Sequence, residues 1–189
     1  NPMFVIKGEN VKASHINEKY LVPYVKSSSE LQQIEFDGDY NFRAFVCQDK
    51  INSTDKGTKS WINKFVKALN KNGTQTIPEA CAGHRPYWYS LNPKKAHIIT
   101  AVNPYERFFF TYSKEPFVID QRLIAMQVQE GYNVELIAAL LNSVITFLIL
   151  EMRGTSRNLG ALDLNADFLK QLNILNPNLL SKKDADAII

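Results

Sequence analysis

Hydrophobic and polar positions change period several times along the chain, and the changes mark its elements. Met3 to Ile6 is a short apolar run suited to an opening strand, and Ser14 with Glu18 downstream predicts a helix running through Leu21. The serines of "YVKSSSEL" predict a loop that caps a short helix. "NFRAFVCQ", Asn41 to Gln48, sets Phe42, Ala44 and Val46 against Arg43, Phe45 and Cys47, the pattern of a half-buried strand. From Thr58 as N-cap to a stop at Asn70–Gly73, Trp61, Ile62, Phe65, Val66 and Leu69 fall on one helical arc. Lys64, Lys67 and Lys71 fall opposite, with Lys56 just before the cap.

Three strand-like runs come next: Ala96 to Val102, Arg107 to Ser113 and Phe117 to Asp120. The short proline-bearing links "NPYE" and "KEP" predict an antiparallel meander. "NVELIAALLNSVITFLILEM", residues 133–152, predicts one long apolar scaffold helix. Glu135, Asn142, Ser143 and Thr146 interrupt it, so its apolar runs fall short of the roughly 18 residues a membrane span needs. A glycine loop, a short strand near Ala161 to Leu164 and an Asn165-capped helix close the fold, and "SKKDADAII" reads as a frayed end. The expected class is α+β, one domain over residues 1–189. Residues 1–80 lead into a Trp-Tyr hairpin and meander at 85–120, then the scaffold helix and a C-terminal loop and helix at 153–180.

Composition adds little: 45% hydrophobic and 22% charged residues in 189 is ordinary globular usage. Two cysteines without paired spacing, and no leader-like N-terminus, lead to an expectation of a reducing, cytoplasmic setting. A start at Asn1-Pro2 reads as an excised part of a longer protein. Charge distribution says more than the net +3. Lys50 to Lys114 holds eleven Lys/Arg against three acids, while the remainder is net −5. A basic middle favours a polyanionic partner.

Catalytic signatures are missing. No Gly-x-Ser-x-Gly elbow accompanies His15, His84 or His97, and neither phosphate-binding glycine motif occurs. "NPMF" at the N-terminus is a coincidental likeness to a methyltransferase Asn-Pro-Pro-Tyr. Cys47, Cys81, His84 and His97 supply the ligand count of a tetrahedral zinc site, with only Cys81-x2-His84 at close spacing. Two buried thiols and two loop histidines are the plainer reading.

"RPYWYSL", "KKAHIITAV", "RFFFTYS", "FVID", the helix with Leu-Asn-Ser, "LGALDL" and "FLKQLNILNP" follow one another in order. This succession resembles the C-terminal target-recognition domain of TaqI-like adenine-specific DNA methyltransferases and related type II restriction-modification enzymes. The resemblance implies a DNA methylase specificity-domain-like fold that grips double-stranded DNA while a catalytic domain flips and methylates an adenine. S-adenosylmethionine would be held by that catalytic domain, expected in the same polypeptide; this chain is expected to hold no cofactor and no catalytic residue, and to need no membrane. Chemistry then nominates base-contacting candidates: Arg85, Trp88, Lys94, Lys95, Arg107, Lys114, Arg153, Ser156, Arg157 and Asn158. Lys56, Lys64, Lys67 and Lys71 are the phosphate candidates. Bland roles compete: Trp88 as core, Arg85 paired with Glu79 or Asp120, Arg153 at a helix C-terminus. The alternative functions are a zinc-stabilised domain or a protein-interaction module.

Overall fold

The computed structural model of the chain describes residues 2–36, 41–102, 108–120, 123–156 and 162–189. The fold is mixed α+β, and it divides into two units: Asn1–Val25 with Tyr40–Lys94, and Lys26–Asp39 with Lys95–Ile189.

In the first unit, strand β3 (Phe42–Phe45) lies between β1 (Val5–Lys7) and β2 (Leu21–Val25), antiparallel to both; Ala44 faces Val5 on one side and Val22 on the other. Helix α1 (Gly8–Ser14) follows β1 directly. Ser14 therefore ends a helix instead of starting one. Its hydroxyl donates to the Val11 carbonyl, and His15 turns left-handed at φ 55°, which halts the α-helical bond pattern. Glu18–Tyr20 is only a 3-10 turn before β2. The serine cap holds as read: Ser27 and Glu30 form a capping box around a short 3-10 turn, in the second unit.

Helix α2 (Lys56–Lys64) starts earlier and stops earlier than its periodicity predicts. Asp55 is the N-cap, because its carboxylate accepts from both the amide and the hydroxyl of Thr58 at 3.0 and 2.6 Å. Trp61, Ile62 and Phe65 pack into the core as expected, whereas Val66 and Leu69 stay exposed. The chain leaves the helix after Phe65 and closes a loop through a Leu69–Thr76 bridge, with Gly73 at φ 69° making the turn. A short helix α3 (Ile77–Ala80) follows, capped by Thr76 and Glu79.

The segment read as a Trp-Tyr hairpin forms no strands. It is an irregular turn containing a cis Arg85–Pro86 bond; Tyr89 is buried and Trp88 half-buried against the same core.

The second unit holds β4 (Lys95–Ala101), β5 (Thr111–Ile119) and β6 (Leu123–Met126) in the order β5-β4-β6. The predicted meander is corrected here, since the first strand is central and the second and third runs fuse into one. "KEP" is not a turn. Between the pairs Ala96–Phe117 and Ile98–Tyr112, two steps on β4 oppose five on β5, so Ser113–Pro116 bulges within the strand. A bulge leaves Pro116 without a ladder bond to supply.

The long apolar scaffold helix at 133–152 is also overturned. It is two helices, α4 (Val134–Leu141) and α5 (Val144–Arg153), bent by 54°. Asn142 accounts for the break: Oδ1 accepts the Phe110 amide at 2.9 Å, and Nδ2 donates to the Phe110 and Ala138 carbonyls at 2.8 and 2.9 Å. Ser143 then caps α5 through the Thr146 amide. Leu150 is fully buried, yet Val144, Ile145, Leu148 and Met152 are 58 to 79% exposed, so α5 carries an apolar outer stripe. Among the described residues no single helix is long and apolar enough to cross a membrane.

A two-residue ribbon pairs β7 (Thr155–Ser156) with β8 (Leu162–Asp163), and Asn165 caps α6 (Ala166–Lys170) through the Phe168 amide, as its sequence predicts. The supposedly frayed end is helical: Ser181 caps α7 (Lys182–Ile188).

Candidate nucleic-acid interface

The division into units separates charge sharply. The first unit carries twelve Lys/Arg against five Asp/Glu, net +7; the second carries ten against fourteen, net −4. Four of the first unit's five acids are occupied locally. Asp55 and Glu79 cap helices, Glu9 pairs with Lys7, and Asp49 accepts from Tyr20 and from Lys19. Hydrogen bonds from the Tyr20 phenol, then from Lys19, hold the Asp49 carboxyl below its usual range, and Thr58 does the same for Asp55.

The cations are left outward. Lys56, Lys59 and Lys64 are exposed on α2, and Lys67 and Lys71 are exposed on the loop beyond it. Lys59 donates to the Asn52 side chain at 3.1 Å. Among the described residues no carboxylate pairs with Lys56, Lys64, Lys67 or Lys71. The predicted continuous lysine face is thus replaced by a helix carrying two of the four named lysines and a loop carrying the others.

Where α1 ends against α2, a groove of about 510 Å³ is lined by Ala13, Ser14, His15, Ser60, Trp61, Asn63 and Lys64. Lys64 Nζ sits 5.4 Å from the Trp61 ring and 5.8 Å from Phe65, and the Trp61 indole donates to the Met3 carbonyl. Ser60, Asn63 and Lys64 are spaced i, i+3, i+4 on one helix and were in that sense visible in the sequence. His15 was not, because a long-range fold contact brings it there.

Arg85 is exposed; one of its nitrogens, Nη1, donates to the Ala82 and His84 carbonyls at 2.8 Å each, so it pairs with neither Glu79 nor Asp120 among the described residues. Lys94 is exposed in the first unit, and Lys95 is exposed at the start of β4 in the second. Lys114, on the β5 bulge, lies 3.9 Å from both Glu35 and Glu135, and is a partnered cation. Arg153 occupies the last turn of α5, where a cation suits the helix C-terminus. Arg107, Arg157 and Asn158 lie outside the described residues, as does the Ser156 side chain. The base-contacting candidates are divided between the two units, with Arg85, Trp88 and Lys94 in the first.

Cys47 and Cys81 are buried thiols, and burial pushes both up. The His84 ring lies 5.4 Å from Phe4 at a tilted 51°, while His97 Nδ1 accepts the Val128 amide in the other unit. Among the described residues no three metal-ligating side chains converge.

No protein-family profile and no curated protein matches the sequence. Among solved structures, all of this chain is similar to 23% of the type IIG restriction endonuclease BpuSI, with a TM-score of 0.61 and 12% identity. That likeness is one of fold.

Proposed function

We propose that the chain is the target-recognition part of a restriction-modification enzyme, binding double-stranded DNA through the basic first unit. The observation that carries this reading is the segregation of charge. This unit is net +7, four of its five acids are held in helix caps or ion pairs, and among the described residues no carboxylate pairs with Lys56, Lys64, Lys67 or Lys71. The fold shared with a segment of BpuSI supports placing the chain within such an enzyme. In this reading Lys56, Lys59, Lys64, Lys67 and Lys71 neutralise phosphates. Among the described residues Arg85 keeps its Nε and Nη2 hydrogens unspent for a base edge.

The finer reading is that the parent methylates adenine with S-adenosylmethionine in a catalytic domain of the same polypeptide, with base flipping there and none of the chemistry here. The chain spans about a quarter of the enzyme it resembles in fold, and the apolar stripe on α5 is the kind of surface that a neighbouring domain covers. Fluorescence anisotropy with a labelled duplex, titrated across ionic strength, tests the DNA reading. Log affinity should fall linearly with log salt over several charges. No binding at low salt would defeat the assignment for this chain.

A further inference from the structure

We infer that the groove between the end of α1 and the outer face of α2 is a seat for a phosphate group, which under the DNA reading, on which this use of it rests, is a backbone phosphodiester. Its walls combine a cation with neutral donors and contain no carboxylate. Among the described residues the side chains of His15, Ser60 and Asn63 make no hydrogen bond, and Lys64 makes no ion pair. A tetrahedral oxyanion, with several acceptor oxygens and a negative charge, uses such a set more fully than a neutral ligand does.

The groove is also built before anything binds. The His15 carbonyl lies against Gly57 so closely that a Cβ there would meet it at 1.8 Å, so only glycine lets the two helices approach. His15 holds the left-handed conformation, and the next turn is tied down by the Asn17 amide donating to Thr58 Oγ1 at 3.1 Å. The Trp61 and Phe65 rings hold the Lys64 ammonium near the groove. Rigid walls spare the ligand the ordering cost that flexible lysines impose.

Two ligands and two charge-matched variants separate the possibilities, using the whole chain. Ser60→Glu places an anion in the groove; Gln75→Glu adds the same charge at an exposed position outside it. Inorganic phosphate should shift the backbone amide resonances of His15, Ser60, Asn63 and Lys64, in the parent and in Gln75→Glu but not in Ser60→Glu. Duplex affinity should fall about tenfold in Ser60→Glu and no more than about threefold in the control. Asn63→Asp serves if Ser60→Glu alters the circular dichroism spectrum. If the duplex binds, both variants weaken it equally and phosphate moves no groove amide, the seat is refuted and the DNA reading stands. If phosphate moves those amides but no duplex binds, the seat belongs to a free phosphate or nucleotide and the DNA reading is refuted. If neither ligand binds, both fail.

Discussion

Tyr112 shows how one buried phenol joins separate segments of the second unit. Its hydroxyl donates to Glu135 Oε1 at 3.1 Å, and its backbone bonds with residues 34 and 36. Burial, and then the bond to Glu135, push the phenol up to about 12. The folded value lies above the unfolded value of about 10, so this contribution is complete below pH 10 and is lost as pH rises toward 12. Urea unfolding followed by circular dichroism should show stability declining across that window, and Tyr112→Phe should flatten the decline. Parallel declines in the two proteins would clear Tyr112 of responsibility. Two further substitutions address the interface. Lys64→Ala with Lys67→Ala should weaken binding to every duplex and lower the salt slope by about two phosphate charges. Arg85→Ala should relax preference at particular base pairs instead. Uniform loss in both cases would show that the division between phosphate and base contacts is wrong. Lys114, named as a base-contacting candidate, lies beside Glu35 and Glu135, which are distant in sequence and invisible there as its partners.

Elements were legible where a local rule governs and misread where a tertiary contact overrides it. The Asn165 cap and the Ser27–Glu30 capping box rest on residues three apart, and both form. The long helix is the opposite case. Its apolar pattern continues through Asn142 and Ser143, but Asn142 is drawn off to satisfy the buried backbone of Phe110, thirty-two residues away. Asn142→Leu keeps the helix pattern and leaves two buried polar groups unpaired, so it should destabilise the protein by about 2 to 4 kcal/mol in denaturant unfolding. α5 offers an internal comparison. Leu150→Ala, at a fully buried site, should cost about 2 to 5 kcal/mol, while Leu148→Ala, 58% exposed, should stay within about 0.5. Equal costs would mean that the α5 stripe is covered in solution. "KEP" was misread for a related reason: proline disfavours a ladder bond, and a bulge removes the need for one.

On the scale of the molecule, the basic window from Lys50 to Lys114 was a partial view of a real partition. The window mixed Lys95, Arg107 and Lys114, which belong to the acidic second unit, with the lysines of the first. Backbone contacts redraw the boundary at Lys94 and bring in the segment before Val25, with Lys7, Lys12 and Lys19. A salt slope of several charges for duplex binding by the whole chain, despite its net charge of only +3, is the outcome expected if the partition governs binding. By itself the sequence determined the mixed α+β class, the cationic character of α2, the capped turns and the inward Trp61, Ile62 and Phe65 of α2, because periodicity and capping act over a few residues. The strand order, the broken helix, the end of α2 at Lys64 and the His15 wall of the groove were decided by the tertiary structure. Each depends on a buried polar group or a close backbone approach finding its partner far along the chain, and no local pattern encodes which partner that will be.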